Sequence, residues 1–398
     1  MNQRRPFLPD PAGLYGLIAF IVLVRFVGPK ALHDGDTLWH IRFGQIMLEQ
    51  GRILREDIFS HTAAGQPWIA HEWLSEVIMA GLYDVAGLAG LTITFFLVAA
   101  LTFTLLFQTA RRLSNDWIAF IVISLSAAPM AITHLFARPH LFTWLLAALT
   151  LHLLVVNDRR LWLLPLLTIL WANLHGGVLL GLLLQGTFLA GHLFDHWPGR
   201  RWSNWTDWLQ TVRRPLLVCV LSFLALGMNP FGYALLWFNF QVNTEIFANA
   251  IGEWKSPDFN TLWYVRLWVV WVFILAAWSV RKSSWTWRLL VPLFIYMAMG
   301  HVRHVSVAAM FISPWMALAL QDLVSHFPVT FRRRTSVKPQ LSLSAWSGPA
   351  MTASIFVLLF SLCIVNPPFW KNFAEQRFPM PEDYSAGVIH FLEKETPG

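Results

Sequence analysis

Leu88-Ala-Gly-Leu-Thr-Ile-Thr-Phe-Phe-Leu-Val-Ala-Ala-Leu-Thr-Phe-Thr-Leu-Leu-Phe-Gln-Thr-Ala110 carries no charged side chain and runs directly into Arg111-Arg112. A helix needs about 20 apolar residues to cross the hydrocarbon core of a bilayer, and this stretch supplies them. Comparable runs lie at roughly 12–30, 116–135, 139–156, 160–174, 177–194, 215–233, 263–280, 288–300, 302–320 and 348–366. With 88–110 they make eleven expected spans, although 288–320 can also be drawn as one kinked helix. Apolar residues make up 56% of the 398 and charged ones 13%, a balance that no soluble domain of this size would carry on its surface. No polar block is long enough to fold separately. The expected fold class is therefore an all-α polytopic membrane protein. One transmembrane domain spans 1–366, with a large outer loop at 31–87, and an amphipathic tail covers 367–398.

Charge fixes an expected orientation. The pairs Arg4-Arg5, Arg111-Arg112, Arg159-Arg160, Arg200-Arg201, Arg213-Arg214 and Arg281-Lys282, with Arg288, Arg332-Arg333-Arg334 and Lys338, fall at the N-terminus and in alternate connections. By the positive-inside rule these face the cytoplasm, which places the N-terminus inside and, for an odd count of spans, the C-terminus outside. The net charge of +7 would suggest nucleic acid in a soluble protein. Here the basic residues read as topology determinants facing anionic lipid, and no nucleic-acid partner is expected. Cys219 and Cys363 both fall in apolar runs, so neither a disulfide framework nor a zinc site follows from them. Arg4 and Arg5 precede the first run as in a signal peptide, but that run is long enough to span and no small-residue cleavage site follows it. Trp117, Trp162, Trp263, Trp285, Trp287 and Trp346 stand at the ends of runs, as in interfacial belts.

The unusual polar residues gather in the other set of connections. The first outer loop opens with His33-Asp34-Gly35-Asp36-Thr37-Leu38-Trp39-His40, two carboxylates beside a membrane helix. Charge in that position is costly and marks a functional-site candidate. Two such aspartates can share a divalent metal, or one can act as base towards an acceptor hydroxyl. A solvated turn uses the same residue types. Residues 38–50 place Leu38, Ile41, Ile46 and Met47 near one helical face with Gly51 as the stop, which predicts a helix lying in the interface. Glu72-Trp73-Leu74-Ser75-Glu76-Val77-Ile78-Met79 predicts a second amphipathic stretch, with His71 and Glu72 at its start.

Arg25, Arg138, His140, His175, Arg303 and His304 fall near the same boundary. Arginine forks and histidine suit the phosphate of a lipid-linked substrate arriving from the bilayer; each of these side chains could instead snorkel to headgroups or pair with an acid such as Glu253. Asn173-Leu-His175-Gly176-Gly177 joins two runs, where His175 also suits a capping role, and Asn229-Pro230-Phe231-Gly232 ends another. Residues 381–394 have apolar positions at helical spacing, which predicts an amphipathic helix on the outer surface.

Several of these segments resemble bacterial members of the GT-C glycosyltransferase superfamily, of the type related to lipopolysaccharide-modifying and dolichyl-phosphate-mannose-type transferases. The resembling pieces are Asp36-Thr-Leu-Trp39-His40 with Gly44 and Gly51, Asp57-Ile-Phe59-Ser60-His-Thr62 through Gly65-Gln-Pro67-Trp68, His71-Glu72-Trp73-Leu74, Arg138-Pro139, Trp171-Ala-Asn173-Leu-His175-Gly176, Asn229-Pro230-Phe231-Gly232 and Glu253-Trp254-Lys255-Ser256-Pro257. The resemblance implies a helical bundle, a first outer loop with helices parallel to the membrane, and a polyprenyl-phosphate-linked sugar as donor. In that scheme Asp36 or Asp34 is the catalytic carboxylate or a ligand to a divalent metal, and Arg303, with His304 and Arg138, takes the donor phosphate. His40, His71, Glu72, His175 and Glu253 complete the expected outer-face site. The location implied is the bacterial inner membrane, with the C-terminus periplasmic. Two other classes compete: a transporter or flippase for a lipid-linked substrate, which expects ionisable groups along a path through the bilayer, and a non-catalytic envelope-assembly scaffold, which expects a filled interior beneath the first loop.

Overall fold

The computed structural model describes residues 10–32, 34–156, 158–197, 205–242 and 251–326. The expected span 348–366, the tail 367–398 with its amphipathic helix, and Cys363 lie outside the described residues. Among the described residues the chain is helical and has no strand; a single isolated bridge, Glu56 to Pro67, closes part of the loop 31–87.

The order of helices is α1 (Pro11–Val22), α2 (Asp36–Gln50), α3 (Trp73–Leu113), α4 (Asp116–Val122), α5 (Ala128–Ile132), α6 (His140–Val156), α7 (Leu164–Leu174), α8 (Val178–Asp195), α9 (Trp205–Leu226), α10 (Ala234–Val242), α11 (Trp263–Ser279), α12 (Trp285–Gly300) and α13 (Val302–His326). A π-helical turn, Leu23–Val27, extends α1, and another, Ile123–Ala127, joins α4 to α5. Each expected run from 12 to 320 falls largely on helix. The stretch 288–320 is two helices that break at His301, and the run expected at 215–233 lies on a helix that begins earlier, at Trp205, continues through Pro215 and ends at Leu226, with 227–233 in turns.

Among the described residues four helices are long and apolar enough to cross a membrane, α3, α8, α9 and α13, and several shorter apolar helices accompany them. Their surroundings differ. The most apolar part of α3 is 78% buried inside the bundle, against 28% for that of α9. On α9, Leu216, Leu217, Val220, Leu221, Phe223 and Leu224 are exposed, an apolar outer face that suits lipid. Helix α3 is instead the central post. Its five threonines along the stretch 88–110 are harmless there, because Thr92, Thr94, Thr102, Thr104 and Thr109 each donate to the carbonyl four residues earlier at 2.7–2.9 Å.

The two ends of the bundle are chemically distinct. At one end Arg111 lies 3.8 Å from Asp10, at the start of α1, and 2.9 Å from Asp116, at the start of α4. Arg214 donates to the Arg159 carbonyl at 2.8 Å, and Lys282 pairs with Asp322 at 2.7 Å. Each of the turns that carries Asp36, Arg138, His175 or Arg303 is one helix length away, at the other end.

In the loop 31–87 the predicted helix forms as α2, which ends at Gly51 in the left-handed region (φ 63°). The second amphipathic stretch is not separate. It runs on into the apolar part of α3 through a break at Gly87 (φ 62°, ψ −166°), where glycine supplies the conformation that other residues resist. Residues 73–86 thus belong to the loop and 88–113 to the apolar post.

Candidate functional site

A cavity of about 500 Å³ opens among the loop side chains and the helix ends. Asp36, His40, His71, Glu72, Arg138, His175, Glu253, Arg303 and His304 all line it, so nine side chains scattered from 36 to 304 in the sequence meet around one space. Two clusters form its walls.

One wall is built by α2 against the start of α3. Gly44 sits so close that a Cβ there would run into the Glu76 carbonyl, and this approach brings His40, one turn earlier, over the carboxylates of α3. Glu72 caps α3 and Glu76 follows one turn later on the same face. His40 Nδ1 lies 3.2 Å from Glu76 Oε1 and 3.6 Å from Glu72 Oε2. The other Glu72 oxygen, Oε1, is 2.9 Å from His175 Nε2 and 3.6 Å from His71 Nε2.

The tautomer of His175 follows from its second nitrogen. Nδ1 accepts from the Gly177 N–H at 2.7 Å and lies 2.9 Å from the Thr143 hydroxyl, which itself accepts from Trp171 Nε1 at 2.8 Å. The remaining proton is on Nε2 and points at Glu72. His175 therefore does both things its sequence position suggests: it closes the α7–α8 turn and it holds a site carboxylate. Trp73 Nε1 donating to Asn173 Oδ1 at 3.0 Å, and Ser75 to the Leu174 carbonyl, tie α3 to the same turn.

Electrostatics in this wall follow from burial. Burial opposes charge on Glu72, yet His71, His175 and His40 together hold its carboxylate well below the usual range. Glu76 has only His40 to offset its burial and is pushed up to about 7. Burial works against a charge on His40 as well, but the hydrogen bond to Glu76 and the charges of both glutamates raise it overall. His71 is lowered, chiefly by burial. Glu76 Oε2 has no hydrogen-bond partner, and the residue is 2% exposed.

The opposite wall is an arginine network. Arg138, in the α5–α6 turn, grips Asp34 with both Nε and Nη2 and reaches Asp36 Oδ2 with Nη2 at 2.9 Å. Asp34 is buried and also takes a long bond, 3.4 Å, from the Thr37 hydroxyl; Asp36 is largely exposed to the cavity. Glu253 links this pair to the far side, 3.8 Å from Arg138, 3.8 Å from His134 and 3.6 Å from Arg303. Arg303 lies over Trp254, 4.5 Å from the ring centroid, and a bond from the Val302 N–H to the Lys255 carbonyl (2.9 Å) fastens that loop to the start of α13.

The two aspartates thus play different parts. Asp34 lies behind the wall and positions Arg138, whereas Asp36 faces the space. The guanidinium of Arg138 bonds to both carboxylates and stands where a shared metal ion would be expected to bridge them. The group whose donor atoms are disposed for an ion is His40, Glu72 and Glu76, all within 4.8 Å of one another. Sequence reasoning passed over Glu76, His134 and Thr143. The signal for Glu76 was its four-residue spacing from Glu72; Thr143, in an apolar run, gave none.

No family model matches this sequence, and a comparison with curated proteins gave no match.

Proposed function

We propose that this chain is a membrane-embedded glycosyltransferase of the GT-C type, transferring a sugar from a polyprenyl-phosphate donor to an acceptor hydroxyl on the outer face of a bacterial inner membrane. In this reading the eleven apolar segments cross the bilayer, with the N-terminus cytoplasmic and the C-terminus periplasmic. The observation that carries it is the meeting of Asp36, Arg138, Glu253, Arg303 and His304 around one cavity. About 500 Å³ is within the range of small-molecule sites and leaves room for a sugar with its phosphate. The clustering of basic residues at the opposite helix ends supports the outward orientation.

Asp36 takes the proton of the acceptor hydroxyl, whose oxygen attacks the anomeric carbon as the bond from that carbon to the phosphate oxygen breaks. Arg303, on its Trp254 platform, stabilises the charge that develops on the departing phosphate, the kind of contribution that is commonly the largest in such chemistry. Arg138 orients Asp36 through Nη2. The open space beneath the first loop weighs against a purely structural scaffold, and the gathering of the cavity's ionisable side chains at one end of the bundle weighs against a path through the bilayer.

The test is transfer of labelled sugar from polyprenyl phosphate by the purified full chain in lipid. Asp36→Asn is expected to lose transfer while its elution and melting temperature match the parent; full activity in that variant would sink the assignment.

A further inference from the structure

We infer that His40, Glu72 and Glu76 form a divalent-metal site in the cavity wall, and that its ion is Zn2+. This goes beyond the proposed transfer reaction and does not depend on it.

Three observations carry the inference. The first is spacing. Zinc takes imidazole nitrogen and carboxylate oxygen at about 2.0–2.2 Å, so ligand atoms at two corners of a tetrahedron stand about 3.4 Å apart. His40 Nδ1 is 3.2 Å from Glu76 Oε1 and 3.6 Å from Glu72 Oε2, and the three donor atoms lie within 4.8 Å of one another. The second is an unmet need. Glu76 Oε2 is buried with no hydrogen-bond partner, and a buried carboxylate oxygen left bare is destabilising. A cation that Glu76 holds through both oxygens, beside Glu72 and His40, meets that need.

The third is the shell behind the ligands. His175 holds Glu72 through the oxygen that the ion does not need, with its own tautomer set by Gly177 and Thr143. Outer hydrogen bonds of this kind orient ligands in established metal sites. The mixture of one imidazole and two carboxylates suits zinc better than magnesium, which favours oxygen alone. His40 and Glu72 line the cavity while Glu76 lies beneath, so the fourth coordination position opens to the space where substrate oxygens would enter. Three protein ligands with one open position is the arrangement of catalytic zinc sites. Binding moves the proton of His40 from Nδ1 to Nε2 or releases it to solvent.

The experiment uses the purified full chain in detergent, stripped with chelator and then titrated with Zn2+, with bound metal counted by mass spectrometry and the site viewed through the visible spectrum of Co2+. The expected result is one tight ion per chain. Affinity falls tenfold or more in Glu76→Gln and in His40→Asn, with the Co2+ spectrum altered, and is unchanged in Asp36→Asn. Elution as a single species checks that each variant is folded, and Glu76→Gln, which preserves shape, keeps the test decisive if His40→Asn disturbs packing. Equal binding by the parent and Glu76→Gln, no uptake by a monodisperse parent, or loss of binding in Asp36→Asn would each overturn the assignment. A chain that binds Zn2+ in this pattern but transfers no sugar refutes the proposed reaction and leaves the metal site standing.

Discussion

The two walls of the cavity solve the problem of burying charge in opposite ways. In the Asp34, Asp36, Arg138, Glu253 and Arg303 network every carboxylate meets a guanidinium, and Arg303 gains an aromatic face as well. In the other wall Glu72 meets His40, His71 and His175, whereas Glu76 has His40 alone and one of its oxygens is left bare. The first wall is complete without a ligand. The second is short of positive charge at Glu76, the condition in which a buried site recruits a proton or a cation. This difference sets a wall whose charges are already paired against one that leaves a carboxylate oxygen without a partner.

The sharpest way to break that comparison is to remove the arginine that lies over Trp254. Arg303→Ala should lower transfer by about 10²–10³-fold, the scale typical of a lost charge-stabilising donor, with a far smaller effect on melting temperature. A loss of fold instead of turnover would make Arg303 structural. Next is the buried pair. Asp34→Ala takes the two-pronged, buried partner from Arg138, leaving it Asp36 and the more distant Glu253, and should cost on the order of 3 kcal/mol in thermal or denaturant unfolding, whereas Asp34→Ala combined with Arg138→Met should recover most of it. Additive losses in the double variant would show that the pair is not a unit.

On the second wall, His175→Ala removes the donor to Glu72 Oε1 and should cost on the order of 1 kcal/mol in unfolding measurements. Smallest of all is the exposed Arg42–Glu49 pair on the outer face of α2, where Arg42→Ala should change stability by less than about 0.5 kcal/mol. A larger effect there would mean that α2 is held from outside as well as through Gly44.

Much of the architecture was legible in the sequence because apolar length and charge placement are local properties. The runs from 12 to 320 became helices, and Gly51 ended α2 as its position suggested. What failed were boundaries that depend on packing: the helix beginning at Trp73 ran through Gly87 into the central post, and the α9 segment began at Trp205. The gathering of Asp36, Arg138, His175, Glu253 and Arg303 was half legible. Alternating charge put them at one end of the helices, but only the structure brought them to one cavity.

The chain by itself determined that it is an all-helical protein with membrane-length apolar helices, since burying that much apolar surface admits few other solutions. It also determined which side chains carry the polar chemistry. Tertiary structure alone decided that α3 is the post and α9 the apolar rim, that Asp34 backs Arg138 while Asp36 faces the cavity, and that Glu76 belongs to a site at all. The physical reason is range. Hydropathy and helix length act over neighbouring residues, whereas the charge of a carboxylate is set by whichever group lies within a few ångströms. For Glu76 that group is His40, brought there by the contact of Gly44 with the backbone of α3.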